Sequence, residues 1–126
     1  MSITEDYVSY EVAKLLKEKG FEGICDYAYS NKGNYFEVDR SNFDEVYCLR
    51  PTHQMAMKWL REVHNKHCDI GYDIDLKWFF QIIDLKETVE YDYLETKHYH
   101  AENETRFNSY EQAAEAALKY SLENLI

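Results

Sequence analysis

Apolar residues recur at helical spacing in three stretches of the chain, and they alternate or run together in the stretches between. From about Ser9 to Lys19, Val12, Leu15 and Leu16 fall on one helical face. Ser9 is the expected N-cap, with Val8 stapling the start. Glu11 in the first turn and Lys17 and Lys19 in the last suit the helix dipole, and Gly20 is the expected C′ residue. A second helix follows Pro51, capped by Thr52 and ending near Asn65. Its predicted apolar stripe is Met55, Ala56, Trp59, Leu60 and Val63, with Lys58 and Arg61 opposite. The third has the clearest start. Ser109-Tyr110-Glu111-Gln112 reads as a capping box, followed by Ala113, Ala114, Ala116, Ala117 and Leu118, then Leu122 and Leu125. Its small residues predict close approach to a sheet or another helix.

Strand patterns fill the intervals. Residues 26–30 and 35–38 flank Asn31-Lys32-Gly33-Asn34 and predict a hairpin with a glycine-containing loop. Glu45 to Leu49 predicts a strand stopped before Pro51. Ile70, Tyr72 and Ile74 alternate with polar residues. Trp78 to Leu85 is a continuous apolar run, expected of a central strand buried on both faces. Val89, Tyr91 and Tyr93 alternate with Glu90 and Asp92, and residues 95–100 continue or partner that strand. The predicted order is α-β-β-(β)-α-β-β-(β)-α across a single domain, 1–126. It implies an α+β fold: an antiparallel sheet of about four to five strands with three helices packed mainly on one face. Short connections between adjacent strands disfavour a βαβ arrangement.

Three helical stretches carry a resemblance. They are Glu11 to Phe21 (EVAKLLKEKGF), Pro51 to Asn65 (PTHQMAMKWLREVHN) and Ser109 to Ile126 (SYEQAAEAALKYSLENLI). Together they resemble small uncharacterised proteins encoded by gut Bacteroides and their phages or mobile elements. The resemblance covers about a third of the chain, all of it helical, and leaves residues 39–47 and 88–106 unmatched. It implies an accessory gene and carries over no activity and no site residue.

Composition narrows the partners. A chain of 126 residues, 45% hydrophobic and 30% charged, is long enough to bury a core without disulfides or metal. The start, MSITEDYVSYEV, has neither a basic n-region nor an apolar h-region, and no apolar run reaches membrane-spanning length. Cys25, Cys48 and Cys68 are three, widely spaced and free of any CxxC, the pattern of reduced thiols. A cytoplasmic location is the expectation. The formal net charge of −10 makes direct nucleic-acid binding and an anionic membrane surface unfavourable.

Candidate chemistry is scattered. His64, His67 and Cys68 lie together at the expected end of the second helix, and His98 and His100 alternate on a predicted strand. Convergence of the two groups would supply N and S ligands for Zn²⁺, although the spacing matches neither a zinc finger nor HExxH, and no cofactor is expected. The cysteines lack the basic or helix-start context that activates a thiolate. Carboxylates are numerous, from Asp69, Asp73 and Asp75 through Asp84, Glu87, Glu90, Asp92 and Glu95, with no pair set apart. The twelve tyrosines are the strongest departure from ordinary composition. Tyr27, Tyr29, Tyr35, Tyr72, Tyr91 and Tyr93 fall on predicted strands and suit an interface on a sheet face that helices leave uncovered. The sequence therefore points first to a non-enzymatic protein-interaction or accessory domain, in its simplest version a homodimer. An acidic mimic of nucleic acid that inhibits a basic host protein is second, and a metal-dependent or cysteine enzyme third.

Overall fold

The computed structural model describes residues 3–75, 77–85 and 106–126, and the backbone of 97–99. The predicted strand over residues 88–93, with Tyr91 and Tyr93, lies outside the described residues, as does His100.

Each helix starts where its local chemistry directs. α1 spans Tyr10–Glu18, with the Ser9 side chain accepting from Val12 N. Its exit satisfies two otherwise orphaned carbonyls: Phe21 N donates to Leu16 O, and Gly20 N to Lys17 O. Gly20 has φ +86°, which a glycine adopts without a Cβ clash, and Phe21 packs back on the core that holds Leu16. α2 spans His53–His64, capped by Thr52 and closed by Asn65 at φ 57°. α3 spans Tyr110–Asn124. Ser109 Oγ accepts from Gln112 N, and the Gln112 side chain reaches back to Asn108 N.

The face α2 buries is not the predicted stripe. His53, Ala56, Met57 and Leu60 are buried, whereas Met55 is 42% exposed and Val63 56%. The helix is turned by about one residue, so Trp59 is only half-buried, edge-on to Phe21 and to His64.

The fold is α+β with antiparallel strands, but the described strands form two three-stranded sheets rather than one larger sheet. In the first, β1 (Tyr27–Tyr29) lies between β2 (Tyr35–Glu37) and β3 (Cys48–Leu49). The β1–β2 hairpin pairs Tyr29 with Tyr35 and turns through Gly33 at φ +86°. The strand predicted from Glu45 shortens to β3, because Phe43–Glu45 forms a 3-10 turn. In the second, β5 (Lys77–Asp84) lies between β4 (Lys66–Asp73) and β6 (Lys97–Tyr99). β5 is thus central as expected, but only one face is fully buried: Phe80, Ile82 and Asp84 point inward, and the alternate residues are half-buried or exposed. α2 separates β3 from β4, and among the described residues no pairing joins the two sheets.

The helices lie between the sheets. α2 and α3 pack on β4 and β5, while α1 packs on α3 and on β3. α3 is therefore buried on more than one side. Ala113, Ala114 and Ala117 are fully buried, and their short side chains let neighbouring backbones approach. Ser121 is also fully buried; its hydroxyl donates to Ala117 O, so no polar group is left unsatisfied there.

Candidate functional site: a tyrosine-held arginine and an adjoining groove

β3 ends at Leu49, and the N-terminal segment runs antiparallel to the chain that leaves it through Arg50 and Pro51. Val8 N donates to Pro51 O, Tyr7 bridges Thr52, and His53 N donates to Asp6 O. On the other side Arg50 N donates to Tyr27 O, extending the β1–β3 pairing. Arg50 is thereby placed among tyrosines from three separate segments. Its guanidinium carbon lies 4.1 Å from the Tyr35 ring centroid and 4.3 Å from that of Tyr7. The Tyr29 and Tyr27 rings are at 5.6 Å and 5.9 Å. Arg50 Nε donates to the Tyr29 hydroxyl, which itself donates to Val8 O at 2.7 Å. Cation–π attraction of this kind contributes about 0.5–2 kcal/mol per ring, more where water is excluded.

The expected interface tyrosines separate accordingly. Tyr35 is 61% exposed and Tyr27 half-buried, and their rings meet edge-on. Tyr29 shares their face of β1 but is buried in the core beside Tyr10. Tyr72 belongs to the other sheet. It is 62% exposed, lies edge-on to Trp78, and is on the helix-facing side with Cys68 and Ile70. Near Arg50 the surface continues through Ile24, 95% exposed, and Met55, which with Tyr7 flank a shallow depression.

A second feature lies next to it. His53, the first residue of α2, is buried, and its Nε2 is 2.6 Å from Glu115 Oε2 on α3. A carboxylate can only accept, so Nε2 is the donor. The other Glu115 oxygen accepts from Ser9 N at the start of α1, where the helix dipole also favours negative charge. Burial pushes the Glu115 carboxyl up, but the hydrogen bonds from His53 and Ser9 outweigh it, and its pKa is lowered below the ordinary 4.5. This pair forms the floor of an open groove of about 750 Å³ between the start of α1 and the outer face of α3.

Among the described residues, the metal candidates His64, His67 and Cys68 do not come together. His64 ends α2, Asn65 reverses the chain, and His67 and Cys68 are already on β4, pointing to opposite faces. Cys68 faces the core, with Sγ 4.0 Å from Ser121 Oγ. His67 is paired with Ile83, and Ile83 with His98, so two histidine positions share a sheet face with a strand between them. Among the described residues no three His, Cys, Asp or Glu side chains converge as metal ligands. Burial pushes the Cys68 thiol up to about 12 and raises Cys25 and Cys48 as well, the reverse of an activated nucleophile.

Several carboxylates are engaged locally. Asp84 pairs with Lys66, Asp69 accepts from Gln81, Asp39 accepts from Ser41, and Glu11 and Glu123 flank Lys119. Among the described residues no helix is long and apolar enough to cross a membrane. No protein-family model, no curated protein and no solved structure matches the chain.

Arg50, His53 and Glu115 carry no sequence signal of their own. Arg50 would be noticed only if the pairing of β1 with β3 were known, since alternation then puts it on the face of Tyr27 and Tyr29.

Proposed function

We propose that this chain is a non-enzymatic interaction domain, and that its tyrosine–arginine face seats a second copy of the chain. The observation that carries the reading is the four-tyrosine surround of Arg50, beside exposed Tyr35, Ile24 and Met55. Arginine, tyrosine and methionine on an apolar patch are the residue types that anchor protein interfaces. The tyrosines hold the guanidinium in one place, so little side-chain entropy remains to be lost on docking. Glu5 and Asp26 line the same depression as Arg50. A two-fold axis through this face can set the arginine of one copy against these carboxylates of the other, which makes the surface self-complementary. The raised thiols and the locally paired carboxylates support this reading over a cysteine enzyme or an acidic ladder.

Light scattering tests it. At high micromolar concentration the protein is expected at twice 15.1 kDa. Ile24→Ser, at a position 95% exposed, should return it to one copy with little change in melting temperature, and Tyr35→Ala should do so with the added loss of its cation–π contact to Arg50. A wild-type protein that stays a single copy at the highest soluble concentration overturns self-docking.

A further inference from the structure

The groove floored by His53 and Glu115 has the size of a small-molecule site, a range of roughly 300–1,000 Å³. Its walls are apolar. Half-buried Tyr7, Phe107 and Ala116 line it, above the buried side chains of Val8 and Val12. Its charged groups have one dominant sign: Glu11, Glu111 and Glu115 against Lys119, whose ammonium is already 3.0 Å from Glu11. Glu115 is fixed by two donors from different elements, yet about a quarter of its side chain (28%) remains accessible. A carboxylate has about four acceptor positions, so Glu115 retains capacity for a further donor.

We propose that this groove binds a cationic small molecule with an apolar, ring-sized body, the ammonium directed to Glu115 and Glu111 and the ring lying against Phe107 and Ala116. The apolar walls supply burial, and the carboxylates select the sign of the charge. This site goes beyond the self-docking face and does not depend on it. Tyr7 and Tyr29 border both, but Tyr35, Ile24 and Met55 take no part in the groove.

The experiment uses the full chain and three probes of one shape: tryptamine, indole-3-ethanol and indole-3-acetate. Binding is read by amide chemical shifts during titration. Tryptamine is expected to bind most tightly, with shifts centred on residues 8–12 and 111–116. Indole-3-ethanol should bind about tenfold more weakly and indole-3-acetate more weakly still, because each lacks the charge-assisted hydrogen bond. Glu115→Gln should weaken tryptamine about tenfold, and Glu111→Gln, at an exposed position, should do so severalfold with the fold intact. Tyr35→Ala should leave binding unchanged. The inference is overturned if the acetate binds as well as the amine, if the shifts centre elsewhere, if Glu111→Gln has no effect, or if tryptamine causes no shift at millimolar concentration.

Discussion

His53 Nε2 donates to Glu115 Oε2 at 2.6 Å, joining the first turn of α2 to the middle of α3. The same carboxylate accepts from Ser9 N, so one side chain ties the starts of two helices to a third. Glu115→Gln should therefore cost about 1–3 kcal/mol, as expected for hydrogen bonds to a charged group. The pH dependence has a definite sign. The folded state holds this carboxyl below the 4.5 at which the unfolded chain takes up its proton. Below that pH the unfolded state binds more protons, so the contribution present above about 4.5 is lost as pH falls through the folded value. Denaturant midpoints for wild type and Glu115→Gln should differ at neutral pH and converge in acid. A difference that is constant with pH would rule the carboxylate out as its cause.

The rotation of α2 gives a sharper test of the core. Leu60 has no exposed surface, and Leu60→Ala should cost about 2–5 kcal/mol. Val63, 56% exposed, should lose less than about 0.5 kcal/mol on truncation to Ala. Trp59, half-buried against Phe21 and His64, should fall between them. Equal losses at Leu60 and Val63 in urea titrations would restore the stripe read from the sequence.

The three thiols should label in an order set by burial. Cys68 is buried, with its pKa at about 12, and should stay unmodified by iodoacetamide near pH 8 while the protein is folded. Cys25 is half-buried and should react first, slowly because burial and Asp26 raise its pKa. Mass spectrometry of timed samples reads the order directly. Rapid labelling of Cys68 would mean that the α3–β4 contact opens readily.

The described tyrosines expected at an interface differ in exposure for a physical reason. Alternation along β1 correctly predicts that Tyr27 and Tyr29 share a face, because backbone pleating alone decides that. It cannot say that Tyr10, at the start of α1, packs against Tyr29, or that Tyr27 stays half-buried. The same limit applies to Tyr72, whose aromatic neighbour Trp78 comes from the opposite strand of its own hairpin. Arg50 had no motif to mark it, because three of its tyrosines, Tyr7, Tyr27 and Tyr35, come from the N-terminal segment and from two different strands.

What the sequence determined by itself is what acts within about one turn or one hairpin. Ser9, Thr52 and Ser109 cap the three helices, Gly20 and Asn65 close two of them, and Gly33 turns the β1–β2 hairpin. Their partners lie only a few residues away, so local chemistry suffices. Tertiary structure decided which face of α2 is buried, that the described strands divide into two sheets with the helices between, and that His53 meets Glu115 across 62 residues of chain. Those outcomes depend on which distant surface each element packs against, and the periodicity of a single segment carries no record of that surface.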